Sequence, residues 1–218
     1  MDSVSGVGVI DKGMVILQCL RLRPLDLAEL QRASDLPRAT AHRLVVALER
    51  HHLVRRDSLG RFCLGFELVA LGRLAAEQFG LGELAAPAMQ TLREISGESV
   101  QLYVREDDAR RCVVSLQSPH ALRWIVPEGS LLPLGVGSAG KVLTGAPLAA
   151  GGWIASVEER EPGVASVSAP VRDAAGAIIA AVGVSGPVER LTRSPGRRLG
   201  GSVATTAAEI SRRIAATH

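Results

Sequence analysis

Leu36-Pro37-Arg38-Ala39-Thr40-Ala41-His42-Arg43-Leu44-Val45-Val46-Ala47-Leu48-Glu49-Arg50 reads as one amphipathic helix running to about His51. Ala41, Leu44, Val45 and Leu48 recur at helical spacing and form its apolar stripe. Ala39, Arg43, Val46 and Arg50 lie opposite, with Thr40 and His42 on the flanks. Pro37 suits the helix opening, where a missing N–H costs nothing. Upstream, Ser34-Asp35-Leu36-Pro37 is a turn, and Leu27–Ser34 is a short helix with Leu27 and Leu30 inward. Before that, Val9 to Arg21 carries Ile10, Met14, Leu17 and Cys19-Leu20 as a helical stripe, stopped at Arg23-Pro24. Downstream, Leu53–Arg56 and Arg61–Leu64 are strand-like and meet across Asp57-Ser58-Leu59-Gly60.

Two short helices joined by a tight turn, followed by a hairpin, describe a winged helix-turn-helix. A helix of this length enters the major groove, and its N-terminal residues reach base edges. Arg43 can pair bidentately with guanine, Thr40 can bond a phosphate or a base, and Arg38 sits where backbone phosphates would lie. Ala39 and His42 complete that exposed start, and Arg55, Arg56 and Arg61 flank the wing. The same face also fits the solvated basic side of a three-helix bundle. Charge agrees with the first reading. The net +3 of the chain sits entirely in residues 1–65, which hold ten basic and seven acidic residues; residues 66–218 hold fifteen of each.

Further on, Phe66 to Phe79 is a helix with few wet positions, a candidate dimer seam. Leu84–Ile95 is helical. Ser99–Arg105, Cys112–Leu116 and Leu122–Val126 read as strands, and Val164–Val171 with Ala177–Val184 as a hairpin. Ser194-Pro195 opens a last helix as N-cap and first helical residue. Helices at both ends of a run of strands predict an α+β fold with an antiparallel sheet. The chain is 47% hydrophobic and 22% charged over 218 residues, enough to bury a core and inconsistent with wholesale disorder. Its longest apolar run, Ala177 to Val184, falls far short of the roughly 18 residues a spanning helix needs. Met1-Asp2-Ser3-Val4-Ser5 lacks the features of a secretory signal. Three widely spaced cysteines, Cys19, Cys63 and Cys112, argue against a disulfide framework or zinc knuckle and for the cytosol.

Leu36 to Leu44 together with Gly60-Arg61-Phe62-Cys63-Leu64-Gly65 resembles the N-terminal half of an IclR-family transcription regulator. Gly97 to Leu102, Val126 to Ser130, Gly137 to Lys141, Glu158 to Val171 and Val182 to Pro187 resemble that family's effector domain, in order. Gly6 to Lys12 and Arg190 to Arg197 look most like an actinobacterial subgroup tied to amino-acid metabolism, leucine biosynthesis and antibiotic production. The resemblance implies a winged helix-turn-helix over 1–65, a linker or dimerisation helix over 66–82, and a GAF-like effector domain over 83–218. It implies a cytoplasmic regulator of the repressor kind, a homodimer or tetramer on a palindromic double-stranded DNA operator. It also implies a small-molecule effector, an amino acid or keto acid, and no membrane, metal, cofactor or catalytic group. By residue, it places effector contacts at Trp124 (within 121–124), Ser138, Ala139, Ser156, Ser166 and Ser185, with Gly183 beside them. One departure stands out. Between Leu143 and Gly152 this chain has only Thr144 to Gly151, where the family has a longer stretch flanking the pocket.

Other patterns compete. Gly135-Val136-Gly137-Ser138-Ala139-Gly140-Lys141 fits two nucleotide-binding expressions, but Val142 stands where a P-loop needs Ser or Thr, and no crossover helix follows. Cys112 and His120, eight residues apart, are the enzyme candidates, with His42, His51, His52 and the terminal His218 placed elsewhere. Thiol sensing by Cys112 or Cys63 requires a low thiolate pKa. Glu158, Glu159 and Glu161, interleaved with Arg160, read as a salt-bridged turn. Two alternatives thus stand beside a ligand-responsive regulator. One is a DNA-binding protein whose C-terminal domain only oligomerises or senses thiol oxidation; the other is an enzyme with a helical appendage.

Overall fold

The computed structural model describes residues 7–217, with backbone alone at 76–79. The leader reading of Met1–Ser5 and the terminal His218 lie outside the described residues. The chain divides into two compact units, cut between Gln78 and Phe79. That cut lies inside the stretch expected to be a linker.

In the first unit, α1 (Gly8–Cys19), α2 (Leu27–Ser34) and α3 (Arg38–Arg50) pack around Ile16, Leu20, Leu30, Ala41 and Val45. The α1 stripe is shifted from the expected one. Ile16 and Leu20 are buried, whereas Ile10 and Met14 are 58% and 49% exposed, because only the C-terminal half of α1 reaches the core. Asp26 starts α2 with a capping box: its carboxylate accepts from Glu29 N–H at 2.8 Å, and Glu29 accepts from Asp26 N–H at 2.9 Å. Asp35 then turns the chain through the left-handed region at φ 52°. Pro37 stands one place earlier than expected, as the residue capping α3. Strands β1 (Val54–Arg56) and β2 (Phe62–Leu64) form the hairpin, and Leu25 bridges to Phe62 on its outer edge. The last helix, α4 (Glu67–Phe79), leaves Val69, Leu71 and Leu74 about half exposed or more, just beyond the exposed ring of Phe66.

The second unit is one antiparallel sheet of six strands in the order β5-β4-β3-β8-β7-β6. These are β3 (Ser99–Glu106), β4 (Ala109–Leu116), β5 (Leu131–Pro133), β6 (Ile154–Val157), β7 (Val164–Arg172) and β8 (Ile178–Pro187). One face carries α5 (Leu81–Ser96) and α8 (Pro195–Ala215), which seal the core of Val100, Leu102, Val167, Val182 and Val184 against Leu92, Val203 and Ile210. The other face carries α6 (Gly137–Leu143). A four-residue helix, α7 (Val188–Leu191), joins β8 to α8.

Two expectations for this unit change, and two strands were not foreseen. Leu122–Val126 is not a strand, since β5 takes the place beside β4. That segment is fixed instead by side chains: Ser99 Oγ donates to Trp124 O at 2.7 Å, and Arg123 to His120 O at 3.2 Å. The two edge strands β5 and β6, only three and four residues long, carry too little alternation to be read from sequence. Ser194 occupies the N-cap of α8 but its hydroxyl makes no capping bond. The shortened stretch after Leu143 closes on itself, with Ala149 N–H donating to Trp153 O at 2.9 Å. Trp153 then lies flat on α8, where only glycine fits: a Cβ on Gly196 or Gly200 would come within 2.1 or 2.4 Å of its ring.

Candidate functional site

In the first unit, α3 turns Ala41 and Val45 inward, and the 3.6-residue period therefore turns Arg38, Ala39, His42, Arg43 and Arg50 to the surface; Thr40 is half-buried. No acid lies in the first turn of α3 and no side chain caps it. Within the described residues Arg38, His42, Arg43 and Arg50 make no ion pair and no side-chain hydrogen bond, so their donors face water. The wing differs. Arg56 pairs with Glu49 of α3 at 3.0 Å and stacks on Phe62, its guanidinium carbon 4.2 Å from the ring centre. Arg61 pairs with Asp57 at 2.8 Å. Burial pushes the Asp57 carboxyl up, but Arg61 and the N–H groups of Arg61 and Leu59 outweigh it and hold it below the usual range. Among the described residues Arg55 has no acidic partner; it stacks on Phe66 at 5.0 Å. The eight residues expected to meet DNA thus fall into two groups. Those of α3 and Arg55 are unpaired by acids, while Arg56 and Arg61 are neutralised locally.

In the second unit, the sheet face under α6 is built from hydroxyls. Strand alternation puts Val100, Leu102, Val167, Val182 and Val184 on one side and Gln101, Tyr103, Ser166, Ser168, Gly183 and Ser185 on the other. Register then aligns them across strands. Ser156 faces Ser166, Ser166 faces Ser185, and Ser185 faces Ser99; in the next row Ser168 faces Gly183, which faces Gln101. From above, Ser138 Oγ of α6 lies 2.8 Å from both Ser166 Oγ and Ser168 Oγ. Ser185 Oγ donates to Gln101 Oε1 at 2.7 Å.

These groups line a cavity of about 40 Å³, walled by α6, by Arg110 of β4, and by Arg160 and Glu161 of the β6–β7 connection. That is room for one or two waters. Glu159 holds α6 in place, pairing with Lys141 at 2.5 Å and accepting from Gly137 N–H at 3.3 Å. Burial raises its carboxyl, but Lys141, Gly137 N–H and Ser156 prevail and lower it.

Of the six residues expected at the effector site, Ser138, Ala139, Ser156, Ser166 and Ser185 come together here, with Gly183. Trp124 does not line the cavity. Its ring is partly buried in the cluster of Val126, Leu134 and Val142 and lies under the Arg160 guanidinium at 4.9 Å. Ala121 and Leu122 point to solvent. Sequence reasoning missed Gln101, Tyr103, Arg110, Arg160 and Ser168. Ser168 was legible as the alternate partner of Ser166; Arg110 looked like any surface arginine, yet it is 3% exposed.

Comparison with known proteins identifies this architecture. Residues 9–58 match the IclR helix-turn-helix domain, and residues 146–212 match the bacterial transcriptional regulator IclR C-terminal domain. The glycerol operon regulatory protein of Streptomyces griseus is 30% identical over 229 residues, covering 89% of this chain and 90% of that one. The chain belongs to the IclR family. It is a DNA-binding transcription regulator with a C-terminal effector-binding domain. The transcriptional repressor AllR of Escherichia coli K12 is 26% identical, over 94% of this chain and 90% of that one. That alignment runs over 244 residues, more than the 218 of this chain, so the relative carries residues this IclR-family chain lacks. A transcriptional regulator from Rhodococcus sp. RHA1 shares the fold at a TM-score of 0.82 and 24% identity, over 97% of this chain and 100% of that one. An IclR homologue from Microbacterium hydrocarbonoxydans, solved with 4-hydroxybenzoate, shares it at 0.80 and 20%, over 95% and 99%.

The competing patterns fare differently. Gly135–Lys141 enters a seven-residue helix over an antiparallel sheet, without the parallel crossover a dinucleotide site needs. Cys112 is fully buried, and burial pushes its thiol up to about 12, the wrong direction for a thiolate sensor. No helix among the described residues is long and apolar enough to cross a membrane.

Proposed function

We propose that residues 1–65 read a palindromic operator, with Arg43 pairing to a base edge and Arg38, Thr40 and His42 placing the start of α3 against the groove. Residues 83–218 take a small metabolite, an amino acid or keto acid, in the hydroxyl-lined cavity. Residues 66–82 carry the homodimer seam, because the apolar side chains of α4 at Val69, Leu71 and Leu74 remain exposed within one chain. Two copies are needed to place two such helices roughly 34 Å apart on successive major grooves. Ligand shifts the population between dimer geometries, and a coupling of about 1–3 kcal/mol is enough to change operator occupancy usefully. The carrying observation is the outward face of α3, whose cations have no partner among the described residues.

The test is fluorescence anisotropy with DNA from upstream of the protein's own gene against a scrambled duplex, at about 0.15 M salt, where specific sites bind at roughly 10⁻⁸ M or tighter. Specific binding that a metabolite shifts supports the reading. Specific binding that no metabolite shifts favours a second one, in which the C-terminal unit only dimerises. The small cavity and the shortened stretch after Leu143 speak for that alternative.

A further inference from the structure

Arg110 is a buried cation without an anion. It is 3% exposed, and among the described residues no carboxylate stands within ion-pair distance of it. One end of its guanidinium is committed: Nη1 donates to Pro133 O and Val136 O. The other edge is not. Nε is buried with no hydrogen-bond partner, and no bond from Nη2 is seen. That Nε–Nη2 edge is half of the planar fork that matches a carboxylate bidentately.

The chain reserves space for this group. A Cβ on Gly140 would fall 2.6 Å from Nη1 as well as meeting the Leu134 carbonyl, so this glycine of α6 leaves room for the guanidinium and for the chain before the helix. Burial depresses the Arg110 pKa, and a cation so placed costs free energy until a counter-ion arrives. A second buried donor lines the same cavity. Gln101 Nε2, on a side chain 1% exposed, also has no partner. The charged residues of the lining are Arg110, Arg160 and Glu161, a net single positive charge.

Resting on the reading of this cavity as the effector site, we propose that Arg110 is the residue that selects the effector. It grips a small monocarboxylate side-on through Nε and Nη2, while Gln101 Nε2 serves a further acceptor oxygen on the same molecule. The hydroxyl floor shapes the remainder of the ligand, and the charge that decides binding is that of Arg110.

The experiment uses the full chain and two acid–amide pairs: acetate with acetamide, and pyruvate with pyruvamide. Binding is read by calorimetry and by the shift in melting temperature, and operator affinity by anisotropy in parallel. The expected result is that an acid binds and its amide does not, and that pyruvate, with its extra oxygen, exceeds acetate. Arg110→Gln then weakens binding by about 10- to 100-fold, while Arg110→Lys keeps part of it. Arg110 also pins the loop before α6, so Arg110→Gln is compared at matched circular dichroism; if it fails to fold, the acid–amide contrast on the unaltered chain decides. Equal binding of acid and amide, undiminished binding to folded Arg110→Gln, or binding of none of the acids overturns the proposal. A neutral compound that binds and shifts operator affinity would remove Arg110 from its role and leave the effector reading intact.

Discussion

Replacing Arg43 by alanine separates the energetics of folding from those of DNA reading. Arg43 is exposed and has no ion pair or side-chain hydrogen bond among the described residues, and alanine is an even better helix former, so the unfolding midpoint should not move. The loss falls on the complex. A bidentate base contact is worth about 1–3 kcal/mol of discrimination per site. A dimer loses it in both half-sites, about 2–6 kcal/mol in all, or roughly 30- to 20,000-fold in affinity at 1.4 kcal/mol per tenfold. Anisotropy on the operator and on a scrambled duplex, each across a salt series, measures it. A phosphate contact would instead weaken both duplexes alike and flatten the salt slope by about one per contact. Equal loss on operator and scrambled DNA, or a loss under threefold on the operator, would refute the base-reading role of Arg43.

Three further outcomes are expected. Gly200→Ala should lower stability despite the better helix propensity of alanine, since its Cβ meets Trp153 at 2.4 Å; in a Trp153→Ala background the same change should raise stability by up to about 1 kcal/mol, seen as opposite shifts in urea midpoint. Arg111 beside Glu106 holds that carboxyl below its usual 4.5, so the pair stabilises the fold above that pH and the contribution is lost as pH falls through the lowered value; Arg111→Gln should flatten this part of the profile between neutral pH and pH about 3, followed by chemical denaturation. Val69→Glu with Leu74→Glu should shift the protein from dimer to monomer in sedimentation velocity and cost operator affinity, while leaving the circular dichroism of the chain unchanged.

The DNA-reading unit was largely legible in the sequence. Its stripe of Ala41, Leu44, Val45 and Leu48, the Asp26–Glu29 capping pair and the Asp57–Gly60 turn are local signals, set by neighbours within a few residues. Even there, which face of α1 is buried was not legible, because Ile10 and Ile16 are equally apolar and only tertiary packing chooses between them. The effector unit was legible in part. The β7–β8 hairpin announced itself by alternation on both sides of a turn, whereas β5 and β6 are too short to carry a period. The pocket serines were reached through family resemblance. Arg110 was not reached at all, because its significance depends on Gly140 and the carbonyls of Pro133 and Val136, all more than twenty residues away.

The alternation of the sheet also separates two kinds of inheritance. Gln101, Ser166, Ser168 and Ser185 face the cavity, while their immediate neighbours in the chain face the sealed core. A change at a cavity position alters what the pocket admits and leaves the packing beneath α5 and α8 untouched. With the effector seated there as proposed, its preference can drift one residue at a time without passing through an unfolded ancestor. A single scaffold can in this way supply a genome with many sensors.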